Sequence, residues 1–180
     1  MMFVMVLLTI AGVVSSVIYY SLHGGGVDAF VYPATMIGVV GLHVFTNRLN
    51  THHEQYNRYC SGLTIVIASI VFVLFVLLHV MNLYVLGLWF DPLVIVPFSV
   101  GLVFCVMGNQ LHRFKIHEET LSAKVWNNSI RPFSFAFVIS GLLMIGAIFA
   151  PYTITLFFIV LGLTILFLVI RFASELRFVS

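Results

Sequence analysis

A series of apolar segments, each about twenty residues long, constrains this chain more than any other feature. An α-helix rises about 1.5 Å per residue, so about 20 apolar residues cross a hydrocarbon core of about 30 Å. The second segment is the shortest, and Pro151 marks a tight turn between the last two. We predict transmembrane helices over 2–22, 30–46, 60–82, 88–108, 132–150 and 152–171.

Composition indicates which solvent these helices meet. Apolar residues make up 62% of the 180 residues and charged residues 8%, whereas soluble domains carry roughly 25% charged residues. A soluble fold of this size still exposes roughly 30% of its unfolded area, so it could not hide this many apolar side chains. The sequence therefore predicts an all-α integral membrane protein, a bundle of about six transmembrane helices in a single transmembrane domain over 1–180.

The positions of the basic residues predict how the bundle is oriented. If alternate polar breaks lie on alternate sides, every lysine and arginine falls on the side that holds 47–59, 109–131 and both chain ends. Cytoplasmic loops carry an excess of these residues, so we predict cytoplasmic N and C termini and a multi-pass protein of the cell membrane. The basic residues are Arg48, Arg58, Arg113, Lys115, Lys124, Arg131, Arg171 and Arg177.

The membrane segments carry few groups that could support chemistry. Away from their ends they contain no Asp, Glu, Lys or Arg, which argues against ion-coupled transport, because such carriers keep ionisable groups in hydrocarbon for function. A pore for an uncharged solute needs only carbonyls and hydroxyls and stays open as an alternative. The sequence has no nucleophile–base set or phosphate-binding glycine loop, so we predict no enzyme. Its basic residues are too few and too dispersed for nucleic-acid binding.

Two histidines lie inside the predicted membrane segments, His43 near the inner end of one and His79 near the outer end of the next. Their separation in depth argues against a haem held by both. We expect no cofactor; a haem held by His43 and His112 is the alternative to histidines hydrogen-bonded to backbone or water. The other histidines and acidic residues of the inner breaks match no usual metal-ligand spacing, so we predict no metal site. They are His52, His53, His117, Glu54, Glu118 and Glu119.

Two polar breaks are candidate interaction surfaces. The outer break contains His23, Gly26 and Asp28, and it either connects two helices or faces a ligand. Its glycines would permit close approach by a partner. The inner break at 109–131 is the longest, and its apolar residues recur at helical spacing. This spacing favours a short amphipathic helix on the inner leaflet, with a docking surface for a cytoplasmic protein as the alternative.

The residues around the longest inner break carry a family resemblance. Gly108 and Asn109 end one helix, and Trp126 stands five residues before Arg131 at the start of the next. This order resembles the SdpI family, bacterial membrane proteins named for immunity to a secreted toxin peptide. The resemblance implies a helical-bundle protein of a bacterial cytoplasmic membrane.

A second part of the resemblance lies nearer the N terminus. His23, Gly26, Asp28 and Pro33 follow the order of a domain often found upstream in that family. The chain departs from the family pattern in two ways. The box Gly-Ile-Arg-Thr-Pro-Trp is missing, and the Thr-His pair before the arginine is replaced. The chain is therefore similar to a divergent member.

The resemblance implies a non-enzymatic protein that binds a toxin peptide at the outer break or a regulator at the inner one. Asn109, Trp126 and Arg131 would serve this binding or hold the bundle together. In the structural role, Asn109 caps a helix end, Trp126 anchors at the interface and Arg131 hydrogen-bonds carbonyls or lipid phosphate. Two further alternatives are an accessory transmembrane subunit of a larger membrane complex and a haem-binding redox protein.

Overall fold

The described chain is all-helical, as the sequence predicts. The computed structural model describes residues 1–23, 26–50, 54–87, 92–116 and 120–179, and these ranges contain helices and no strand. Two short 3-10 turns, Val27–Phe30 and Ala147–Phe149, lie between helices. The α-helices are α1 (Met2–His23), α2 (Val31–Asn50), α3 (Glu54–Val85), α4 (Pro92–Leu111), α5 (Leu121–Gly146) and α6 (Thr153–Val179).

Five of these helices are long and apolar enough to cross a membrane, which indicates a multi-pass membrane protein. The apolar stretches lie in α1, α3, α4, α5 and α6, and the shortest, Leu93–Leu111, has 19 residues. The described α2 is as long as α4, with 20 residues each, but it does not reach the same hydropathy. Its last two turns carry Thr46, Asn47, Arg48 and Asn50, and these polar residues account for the difference.

The start of α5 corrects one predicted boundary. The helix predicted over 132–150 begins at Leu121, and Thr120 caps it by accepting a hydrogen bond from the Ala123 N–H at 3.3 Å. The residues predicted as a separate amphipathic helix on the inner leaflet are instead the first turns of α5. Val125 is buried there, so this segment packs against the protein. Pro132 lies inside the helix, where it removes one backbone hydrogen bond without ending it.

The six helices form two groups of three. In the first group α1, α2 and α3 contact one another, and in the second α4, α5 and α6 do so. The two groups meet mainly where α3 packs against α4. A buried cluster of Met5, Met36, Val40 and Val71 forms the centre of the first group.

Glycines bring α4 and α5 into backbone contact in the second group. A Cβ atom added to Gly141 would lie 2.5 Å from the Gly101 carbonyl oxygen and 2.9 Å from the Cys105 nitrogen. A Cβ added to Gly108 would lie 2.8 Å from the Ser134 carbonyl oxygen. Close approach at small residues is how membrane helices gain packing energy, because lipid supplies no hydrophobic driving force between them. These glycines therefore set the distance between α4 and α5.

The α4–α5 contact predicts that Gly141→Ala destabilises the protein. The added methyl meets backbone atoms, which cannot move aside cheaply, so we expect a loss of about 1–3 kcal/mol in the free energy of unfolding. Equilibrium unfolding in mixed detergent micelles measures it. The matched control is Gly162→Ala in α6, where an added Cβ meets nothing within 4 Å and no loss is expected. Equal stability of the two variants would contradict the close approach.

Candidate functional site at the basic end of the bundle

The basic residues of the chain gather at one end of the bundle, which we call the basic end. Cys60 of α3 donates to the Asn47 side chain of α2 at 3.3 Å. Asn128 of α5 donates to Glu175 of α6 at 3.4 Å. These contacts bring the ends of α2 and α6 beside the starts of α3 and α5. Every lysine and arginine of the sequence belongs to these helix ends or to the connections between them.

The connection from α4 to α5 is held against the first turns of α5 by three hydrogen bonds. The Trp126 indole N–H donates to the Phe114 carbonyl at 2.7 Å. The Asn127 side chain accepts from the Ile116 N–H at 2.9 Å and donates to the Ile116 carbonyl at 2.6 Å. Asn127 thus satisfies both backbone polar groups of Ile116, and Trp126 satisfies the carbonyl of Phe114, so these bonds hold 112–116 against α5 although the segment is not helical.

Aromatic rings support the same connection from the side of α3. The Phe114 ring lies 5.6 Å from the Tyr59 ring, which lies 5.4 Å from the Tyr56 ring. Such pairs add about 0.5–1.5 kcal/mol beyond area burial. Burial, with smaller contributions from Cys60 and Tyr59, raises the pKa of Tyr56 to about 12, so its phenol is neutral at physiological pH. The connection is therefore packed on α3 as well as bonded to α5.

The four residues of the SdpI-like signature fall into two pairs. Gly108 lies in the α4–α5 contact, where its carbonyl accepts a hydrogen bond from the Ser134 hydroxyl at 2.6 Å, and Trp126 holds the connection. Asn109 and Arg131, in contrast, are exposed at the basic end. The predicted cap role of Asn109 does not match its position, because α4 continues past it to Leu111. Two of the four residues thus take part in packing and two are exposed.

A polar group joins α5 to α6 at the same end. The Glu175 carboxylate is buried, forms an ion pair with Arg171, and accepts from the Asn128 amide. The Nε atom of Arg171 is buried and has no hydrogen-bond partner among the described residues. Sequence reasoning missed Glu175 and Asn128, because a single Glu and a single Asn 47 residues apart carry no spacing signal.

His43 lies in a small polar cluster between α2 and α3. Its Nε2 atom lies 3.2 Å from the Thr64 hydroxyl, which also donates to the Cys60 carbonyl at 2.8 Å. His112 is exposed in the turn after α4, and His79 bonds within α3 to the Phe75 carbonyl at 2.9 Å. His79 thus bonds to backbone, as expected, whereas His43 lies against a side-chain hydroxyl and its buried Nδ1 has no partner among the described residues. The haem at His43 and His112 stays a prediction.

The predicted outer site is described in part. Gly26 is exposed, and its carbonyl accepts from the Ala29 N–H at 3.2 Å. The Phe30 ring lies 5.6 Å from the Tyr20 ring, which holds the 3-10 turn against α1. The side chains of His23 and Asp28 lie outside the described residues, so their predicted pairing stays untested.

No group of three potential metal ligands occurs among the described residues. Six residues of the inner-break set considered for metal lie outside the described part of the chain, or have side chains that do. They are His52, His53, Glu54, His117, Glu118 and Glu119. The absence of a metal site therefore stays a prediction for the inner breaks as a whole.

Comparison with known proteins leaves the family open. No protein-family model, no curated protein and no solved structure matches this chain. The resemblance to the SdpI family therefore rests on the residues quoted above.

The hydrogen bonds at the α4–α5 connection predict that Asn127→Ala loosens 112–116. Each lost bond is worth about 1 kcal/mol, so we expect exchange of the Ile116 amide hydrogen to become at least roughly fivefold faster. Hydrogen–deuterium exchange in nanodiscs measures it. Asn128→Ala is the matched control, because this neighbouring amide contacts Glu175 and leaves the connection alone. An unchanged exchange rate in Asn127→Ala would show that Asn127 does not hold the connection.

Proposed function

We propose that all six helices cross the membrane and that both chain ends lie in the cytoplasm of a bacterial cell. Two observations support the sixth crossing. Met36 and Val40 of α2 are buried against Met5 of α1 and Val71 of α3, so one face of α2 packs into the first group of helices along the middle of its length. The opposite face exposes apolar side chains such as Ile37 and Leu42, as a lipid-facing helix would. The basic residues at one end support the orientation, because cytoplasmic loops carry the excess of lysine and arginine.

Cysteine labelling tests the crossing by α2. In a chain with Cys60 and Cys105 changed to serine, Gly26→Cys and Leu49→Cys place exposed thiols at the two ends of the helix. A membrane-impermeant maleimide should label Gly26→Cys in intact cells and Leu49→Cys only after permeabilisation. Labelling of both in intact cells, or of neither, would mean that α2 does not cross.

We propose that the protein is a non-enzymatic membrane protein of the SdpI type that binds a toxin peptide or a regulator. The observation that carries this proposal is the fixed connection at 112–116, with exposed Asn109 and Arg131 near it. A rigid backbone presents a surface without the entropic cost of ordering a loop on binding. Trp126, part of the signature itself, makes one of the bonds that fix this surface.

The arrangement favours binding over catalysis for a physical reason. At the basic end the side chains of Glu175, Thr64 and Asn127 bond to other side chains or to backbone. Their hydrogen bonds hold helices together and do not direct a base at a nucleophile, which an acyl- or phosphoryl-transfer site would need. A toxin peptide would meet the outer end near Gly26, and a cytoplasmic regulator the basic end.

A survival assay tests the proposal. Cells that express this protein should survive an Sdp-like toxin peptide that kills matched cells carrying an empty vector. Asn109→Ala should lower the protection at unchanged protein level, because it removes an exposed amide from the basic end, where a regulator that the protection requires would bind. Asn82→Ala, near the opposite end of α3, is the control and should protect like the parent chain.

Absence of protection against every Sdp-like toxin would overturn the proposed function and leave the fold unaffected. Full protection by Asn109→Ala would remove this amide from the binding surface.

A further inference from the structure

A lipid-facing groove runs between α5 and α6. It has a volume of about 430 Å³ and is lined almost entirely by apolar side chains. Phe135 and Ile139 of α5 form one wall, and Leu163 and Phe167 of α6 form the other; Ala136 leaves room between them. Phe135 is 63% exposed, so the groove opens to the lipid.

The polar groups in the groove satisfy one another. The Thr164 hydroxyl lies 2.6 Å from the Ser140 hydroxyl and 2.7 Å from the Val160 carbonyl. Both residues are buried. The groove therefore demands no polar ligand along its length, and a hydrocarbon chain fills it without leaving a buried donor or acceptor unpaired.

Two hydrogen bonds fix how α5 and α6 align. Thr164 bonds to Ser140, and Asn128 bonds to Glu175 farther toward the basic end. From Ser140 to Arg131 the rise along α5 is roughly 13 Å, and from Thr164 to Arg171 the rise along α6 is roughly 10 Å. Arg131 and Arg171 therefore lie within about one helical turn of the same depth.

Both arginines stand at the end of the groove. Arg131 shares a face of α5 with Phe135 and Ile139, at spacings of four residues. Arg171 shares a face of α6 with Thr164 and Phe167 by the same periodicity. From Arg131 to Phe149 the chain rises roughly 27 Å, close to the thickness of the hydrocarbon core. This places the arginines at the depth where phospholipid phosphates lie.

The charge at this end is positive and incompletely bonded. Arg171 is paired with Glu175, yet its Nε atom is buried without a hydrogen-bond partner among the described residues. Arg131 is exposed. Lys124 is also exposed, and it lies on α5 one turn before Asn128, farther along the helix from the groove. Among the described residues near this end of the groove, Arg131, Lys124 and Arg171 thus outnumber the one carboxylate of Glu175. Basic clusters at the end of a pocket between membrane helices are typical sites for anionic lipid headgroups.

We propose that this groove binds one acyl chain of an anionic phospholipid whose phosphate accepts hydrogen bonds from the exposed Arg131 side chain and from the exposed part of the Arg171 guanidinium. A second membrane helix fits the groove less well. Helix pairs in membranes need small residues for close approach, whereas Phe135, Leu163 and Phe167 line this rim. The inference rests on the membrane location and the α5–α6 contact, and it does not depend on the toxin or the regulator.

Native mass spectrometry of the full chain, released from detergent, tests the proposal with three probes. They are dioleoylphosphatidylglycerol, dioleoylphosphatidylcholine and glycerol 3-phosphate, which has the headgroup charge but no chain. We expect one retained phosphatidylglycerol per copy and roughly fivefold weaker retention of phosphatidylcholine, since each basic residue at the surface is worth about 1 kcal/mol. Glycerol 3-phosphate should not be retained.

Two pairs of variants test the contributions of the groove and of its charged end separately. Arg131→Gln should lower retention of phosphatidylglycerol to the phosphatidylcholine level, and Lys115→Gln, an exposed cation on the α4–α5 connection, should not. Ala136→Leu fills the groove and should lower retention of both lipids. Ala173→Leu makes the same change in the separate groove near Phe133 and should have no effect.

Three results would overturn the proposal. The first is equal retention of the two phospholipids by the parent chain. The second is undiminished retention in Ala136→Leu with an unchanged unfolding temperature. The third is a dimer that Ala136→Leu dissociates, which would assign the groove to a second copy of the chain.

Discussion

The bilayer contains no water to bond a backbone amide, and the rest of this structure depends on that constraint. Each unsatisfied N–H or C=O in hydrocarbon costs several kcal/mol, so each long apolar segment must bond its backbone internally as a helix. The same constraint leaves helix packing without a hydrophobic driving force. Contact between α4 and α5 therefore depends on Gly101, Gly108 and Gly141, where backbones approach within van der Waals contact.

The positions of the polar residues follow from the same constraint. Inside the bundle some of them pair with one another, as Thr164 does with Ser140 and His43 Nε2 with Thr64. At the basic end, where water and phosphate are available, Asn109 and Arg131 stay exposed. The proposed functions depend on these exposed polar residues. A regulator would meet side chains beside a fixed connection, and an anionic lipid would meet arginines at the mouth of an apolar groove.

The sequence predicts the helices well where hydrophobicity alone decides them, as in α1, whose end at His23 is one residue from the predicted end. It fails at the start of α5, which was predicted at Pro132 because proline is common in the first turn of a helix. Only the structure shows that Thr120 caps that helix and that Pro132 lies within it.

The candidate site was less predictable than the helices. Gly108 and Trp126 stand out as residue types, but their roles depend on which neighbours the fold supplies. Asn127 was not predicted at all, because its two bonds to Ile116 join residues 11 apart in a segment with no regular periodicity. A hydrogen bond between a side chain and the backbone of another segment leaves no periodic pattern in the sequence.

Both proposed binding surfaces at the basic end require that this end face the cytoplasm. A chain fused after Ser180 to a fluorescent protein that folds only in the cytoplasm, and in parallel to a phosphatase that is active only outside it, tests this claim. We expect fluorescence and no phosphatase activity. Phosphatase activity without fluorescence would contradict the orientation, and with it the assignment of the arginines at the α5–α6 groove to the inner leaflet.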